Sequence, residues 1–162
     1  MKILALDSSG LVASVALLEN DNLVAEFTVN NKKTHSQTLL PMLDEVVNAA
    51  GIELDAVDAI AIAAGPGSFT GLRIGAATVK GLSLALDKPV VPVPTLEGLA
   101  FNLWGTDKLV CPIMDARRNQ VCTGIYEFCK AEAEAGSCEQ QLVMQCVKDQ
   151  CASPVDELVD EL

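Results

Sequence analysis

Gly65-Pro66-Gly67-Ser68-Phe69-Thr70-Gly71 puts three glycines and two hydroxyls where a strand should end and a helix begin. At such a junction backbone N–H groups converge and can hold an anion, phosphate above all. The spacing departs from two better-defined loops of this kind. Counted from Gly65, Thr70 and Gly71 stand where Gly-x-x-x-x-Gly-Lys-Ser/Thr needs its second Gly and its Lys. Pro66 occupies the first Gly of a Gly-x-Ser-x-Gly elbow. A second reading stays open, in which the glycines only permit a tight turn and close helix packing. Asp7-Ser8-Ser9-Gly10 has the same duality, since Asp and Ser are common turn residues.

Other chemistries are bounded by what the chain offers. His35 is its one histidine, so neither a His-x-x-x-His metal site nor a triad with a histidine base elsewhere can be built, and no metal site is expected. His35, next to Ser36, reads better as a cap or contact near a helix start. Six cysteines (Cys111, Cys122, Cys129, Cys138, Cys146 and Cys151) fall in the last third without a Cys-x-x-Cys pair, which favours free thiols in a reducing compartment. Residues 1–100 carry 6 basic against 11 acidic side chains, a net of −5, and residues 101–162 carry 5 against 11, a net of −6. A protein gripping nucleic acid by itself would show a basic face, so any RNA is expected to be held by another subunit. No apolar run approaches the ~20 residues of a membrane span, and Asp7 interrupts the N-terminus before a signal-peptide core can form. A cytoplasmic location and no membrane contact are expected.

The elements that would position these residues follow from apolar patterning. Ile3 to Leu6, Leu11 to Leu18 and Leu23 to Val29 read as strands separated by Ser8-Ser9-Gly10 and Asn20-Asp21-Asn22, an antiparallel meander. Thr34, with Gln37 three residues on, predicts a capping box and a helix to Ala50, stopped by Gly51. Pro41 should kink that helix or shift its start toward residue 40. Val57 to Ala64 is continuously apolar, the pattern of a central parallel strand. The glycine turn, a helix to Leu86 and a strand over Val90 to Val93 complete a βαβ unit, and Thr95 can cap a short helix to about Trp104. The order β-β-β-α-β-α-β is that of the α/β, ribonuclease-H-like fold of actin, sugar kinases and Hsp70. In kinases of that fold, the place of Asp7 to Gly10 holds phosphate and metal.

A first lobe over residues 1–100 and a partial second lobe over 101–162 are expected. In the second, Leu109 to Met114 and Val121 to Phe128 flank a hairpin loop at Asp115 to Gln120, and residues 130–140 read as a solvated loop. Ser153-Pro154 reads as a helix start. Both long helices exceed what one core needs. Leu39, Leu43, Val46 and Ala50 form one stripe, Leu40 and Val47 a second, while Leu72, Gly75, Ala76 and Val79 lie on a helix that is apolar nearly all round. Either the stripes are a wide core or they are an interface.

Taken together, these residues resemble the TsaB (YeaZ) family. The resemblance rests on Ile3 to Ser9, on His35-Ser36 with Leu39-Leu40-Pro41, on Gly65 to Gly75 with Lys80-Gly81-Leu82, on Pro94 to Ala100 and on Met114-Asp115-Ala116-Arg117-Arg118. It implies two actin-like (ASKHA) lobes and a non-catalytic subunit that pairs with a larger catalytic homologue, TsaD, and works with an ATPase, TsaE, in forming threonylcarbamoyladenosine in tRNA next to the anticodon. It further implies homodimerisation when the partner is missing, through the two helices, with His35, Leu39, Leu40, Leu43, Val47, Leu72, Gly75, Ala76 and Val79 as interface candidates. Asp7, Ser8, Ser9, Gly65, Gly67, Ser68, Thr70, Gly71 and Arg73 make the turn or phosphate-loop set, with Arg73 expected to anchor its helix to a carboxylate or carbonyl. No cofactor is expected on this subunit alone, ATP having its place at the shared interface, and tRNA contact is expected only through the complex. The competing reading is an ASKHA-type phosphotransferase or ATP-binding enzyme using Asp7 and the glycine turn; a metalloprotease would need a second histidine.

Overall fold

The computed structural model describes residues 1–31, 34–130 and 142–161, so most of the loop expected over 130–140 lies outside the described residues. The chain divides into two compact units, Met1–Thr95 and Leu96–Leu162.

In the first unit β1 (Lys2–Asp7), β2 (Ala13–Glu19) and β3 (Asn22–Val29) form the antiparallel meander. Asn20 and Asp21, at φ 47° and 67°, make the tight turn between β2 and β3, left-handed backbone that Asn and Asp tolerate. Helix α1 (His35–Ala50), β4 (Ala59–Ala63), α2 (Phe69–Leu86) and β5 (Val90–Val93) follow, giving a sheet ordered β3-β2-β1-β4-β5 in which β1, β4 and β5 are parallel. This is the β-β-β-α-β-α-β order of an actin-like lobe. Alternation decides its core: Leu4 and Leu6 of β1, Val15 and Leu17 of β2 and Ile60 and Ile62 of β4 pack with Leu39, Met42, Leu43, Val46 and Val47 of α1 and with Val79 of α2.

Two local expectations change. Thr34 precedes α1, but its side chain accepts from no backbone N–H of the helix; its hydroxyl bonds to Ser36 Oγ at 2.9 Å, so the capping box is not formed. Pro41 lies inside α1, so of the two outcomes expected of it the shifted start is excluded. Gly51 stops the helix as expected, left-handed at φ 65° with its N–H on the Asn48 and Val47 carbonyls.

The second unit holds α3 (Thr95–Ala100, from the last residue of the first unit), a single 3-10 turn at Phe101–Leu103, and an antiparallel sheet of β6 (Ile113–Arg117), β7 (Gln120–Lys130) and β8 (Leu142–Pro154). Trp104 is not helical; it stacks on Phe101 at 5.0 Å and meets Phe128 edge-on at 5.1 Å. Leu96, Ala100, Val110, Tyr126 and Phe128 form the core. Strand β8 was not anticipated: two register shifts against β7 break its alternation and hide its period. Ser153 and Pro154 close β8, and α4 (Val155–Glu161) begins one residue later.

Candidate functional site

Because β1 and β4 are parallel neighbours, with Leu6 opposite Ile62, their carboxyl ends emerge side by side. The Asp7 to Gly10 turn therefore meets the Gly65 to Gly71 turn at the edge where open α/β sheets usually receive ligands. What fills this edge is backbone. Asp7 Oδ1 accepts from the Ser9 N–H at 2.7 Å, closing its own turn. The Ser68 N–H donates to the Ser9 carbonyl at 2.6 Å, and the buried Ser8 hydroxyl donates to the Gly71 carbonyl at 2.8 Å. On the other flank Gly65 and Thr95 exchange two hydrogen bonds, Gly65 N–H to Thr95 Oγ1 at 3.1 Å and Thr95 N–H to the Gly65 carbonyl at 2.8 Å.

The glycines explain how two turns come this close. A Cβ on Gly67 would stand 2.6 Å from the Ser9 carbonyl oxygen, and one on Gly71 would collide with the Ser8 carbonyl. On Gly75 it would lie 2.5 Å from Ser8 Oγ and 3.0 Å from Ile62 Cδ1. His35 joins the junction from α1, its Nε2 lying 2.9 Å from the Gly10 carbonyl oxygen; since a carbonyl only accepts, this nitrogen carries the proton.

This geometry favours the packing reading of the turn set. The residues do come together, but the N–H groups of Ser68, Gly71 and Leu72 are engaged with Ser9 O, Ser68 Oγ and Ser68 O, and the Asp7 carboxylate is turned onto its own loop. Thr70 is exposed at the start of α2. Arg73 lies with its guanidinium carbon 3.9 Å over the Phe69 ring, a cation–π contact in place of the expected carboxylate or carbonyl anchor. Among the described residues, no group of three His, Cys, Asp or Glu side chains could hold a metal ion.

The interface candidates also sort by burial. Leu39, Leu43, Val47 and Val79 are core residues of their own unit, and Gly75 is packed on β1 and β4, so these five are corrected from partner contacts to internal packing. Leu72 and His35 are half-buried, while Leu40 and Ala76 remain exposed. The interface candidates leave out the outward row of α2: Phe69, Arg73, Ala77, Gly81 and Ala85, each four residues on from the last and every one exposed. Beside it run Ala76, Lys80 and Leu84, the last 76% exposed. The four-residue spacing was the available signal; Gly75 facing the strands sets its register.

A family described as "TsaD: tRNA N6-adenosine threonylcarbamoyltransferase" matches residues 22–145. Proteins named "tRNA threonylcarbamoyladenosine biosynthesis protein TsaB" are similar to this chain: that of Bacillus subtilis is 41% identical over 79% of the chain and 56% of its own length, and that of Escherichia coli 35% identical over 78% and 55%. The chain belongs to the TsaB (YeaZ) family. YeaZ from Pseudomonas aeruginosa superposes with a TM-score of 0.74 at 35% identity, covering 94% of this chain and 66% of that one. The chain spans about half the length of the curated TsaB relatives it matches.

Outside the turn junction, burial is the main cause of shift at two groups of the second unit, Tyr126 and Cys146. It lifts the Tyr126 phenol to about 12, helped by Cys146, Glu97 and Asp149. It also raises the Cys146 thiol, which donates to Asp149 Oδ1 at 3.6 Å, so this cysteine is not set up as a thiolate nucleophile. On the first unit Lys2 and Glu19 form an exposed ion pair at 2.8 Å, and their mutual hydrogen bond raises one and lowers the other. No helix among the described residues is long and apolar enough to cross a membrane.

Proposed function

We propose that this chain is a non-catalytic partner subunit in the formation of threonylcarbamoyladenosine in tRNA, acting by pairing with a larger TsaD-type catalytic homologue. The observation that carries this reading is the outer face of α2, where Phe69, Ala77, Gly81 and Ala85 of the outward row and Leu84 beside it offer exposed small and apolar side chains flanked by Arg73 and Lys80, with open space above Gly81. Small residues let a partner helix approach closely, and a standard interface buries about 1,600 Å² in total. The same row serves a homodimer when the partner is missing. The names of the TsaB relatives and the matched TsaD family support the pathway. A TsaE-type ATPase completes the set in the cytoplasm, with ATP held at the shared interface and tRNA reaching this subunit through the complex. A phosphotransferase reading has less support, since the Ser68, Gly71 and Leu72 N–H groups at the glycine turn are already engaged within the fold.

The test is reconstitution with the catalytic homologue, TsaE and tRNA, using Gly81→Leu. Overpacking of this kind costs about 1–3 kcal/mol, so association followed by sedimentation should weaken roughly 5- to 150-fold, and modification should fall with it. Unchanged association in a folded Gly81→Leu variant would move the interface off this helix.

A further inference from the structure

The turn between β6 and β7 holds Arg117, Arg118 and Asn119 in left-handed backbone, at φ 65°, 54° and 61°. Asparagine tolerates that region, whereas arginine brings its Cβ against the following carbonyl, which is why such turns favour Asn-Gly. The turn is held without either guanidinium. The Arg117 N–H donates to Asp115 Oδ1 at 2.7 Å, and the Asn119 carbonyl accepts from the Val155 N–H at 3.4 Å. Both arginines are exposed, and no described carboxylate forms an ion pair with them. Two of the three arginines of a chain with net charge −11 thus stand side by side at one tip. A turn alone would be better served by glycine at both positions, so the side chains bring something the backbone does not need.

We propose that the Arg117–Arg118 tip is a contact for the phosphodiester backbone of RNA, each guanidinium fork holding one phosphate. The fork matches a pair of phosphate oxygens, and its planar charge is less strongly hydrated than an ammonium. The choice of RNA over an acidic peptide rests on the tRNA reading given above. With acidic groups spread over the rest of the surface, and Asp156 one residue past Val155, the isolated chain binds RNA weakly; the tip orients an RNA whose affinity comes from elsewhere in the complex.

The test is an NMR titration of the isotope-labelled chain, at low salt, with a tRNA anticodon stem-loop. Shifts should concentrate on the amides of Asp115 to Gln120, and affinity should fall with salt at a log–log slope of about 1 to 2, as expected for one or two phosphates. Arg117→Gly/Arg118→Gly should abolish those shifts while raising the melting temperature by about 2 °C, because glycine relieves the left-handed strain. No response at the tip, an equal response in the double variant, or a larger response to a poly-glutamate peptide than to RNA would each overturn the proposal. The experiment needs no second subunit, so its failure leaves pairing through α2 to be decided by sedimentation.

Discussion

Helices α1 and α2 look alike in sequence, each carrying more apolar residues than one stripe requires, yet they spend that surplus differently. Helix α1 turns Leu39, Met42, Leu43, Val46 and Val47 into the core and shows solvent Gln37, Leu40, Asp44, Glu45 and Asn48, with Leu40 the one large apolar side chain left out. Helix α2 fully buries only Gly71, Gly75 and Val79 and leaves Phe69, Ala77, Gly81, Leu84 and Ala85 outside. The reason is contact distance. Where α2 crosses the carboxyl ends of β1 and β4 it comes so close that glycine must face the strands, and its larger residues are displaced to the flanks and the outside. A helix that packs through glycine has apolar side chains to spare; one that packs through leucine does not.

The comparison breaks most readily at the glycines. Gly71→Ala should cost the most, on the order of 3 kcal/mol or more, since its Cβ meets a backbone carbonyl that cannot rotate away; a melting temperature near wild type would mean the junction is looser than described. Leu39→Ala on the buried side of α1 should cost about 2–5 kcal/mol in a denaturant titration, whereas Leu40→Ala on its outer side should stay within about 0.5 kcal/mol. Equal losses for the two would erase the division between core and surface on α1.

Smaller effects sharpen the outer face of α2. Gly81→Ala has open space for its methyl and should raise monomer stability by up to about 1 kcal/mol through helix propensity, measured on dilute protein to exclude self-association. Arg73→Ala removes the stack on Phe69 and should cost about 0.5 kcal/mol. Alkaline titration probes the core of the second unit. The folded Tyr126 phenol, raised to about 12 from 10, keeps its proton after the unfolded chain has lost it. Its contribution is therefore full below pH 10 and declines as pH rises from 10 to 12. A melting curve with no slope change in that window, or one unaffected by Tyr126→Phe, would place the phenol in water.

The sequence by itself determined the first unit's element order and strand pairing. Short turns force a meander, an unbroken apolar run asks for cover on both faces, and a glycine turn between strand and helix makes a βαβ unit. It also determined which residues gather at the sheet edge, because residues at the carboxyl ends of adjacent parallel strands have nowhere else to go. Tertiary structure alone decided what that gathering is. Whether Ser68 N–H faces a ligand or the Ser9 carbonyl depends on the separation of two turns 59 residues apart, and no local pattern encodes it. The same holds for α2, where apolar spacing fits several rotations of the helix and only the contacts of Gly71 and Gly75 with Ser8 select one. Strand β8 stayed hidden because its bulges erase the two-residue period, and only its pairing with β7 reveals it.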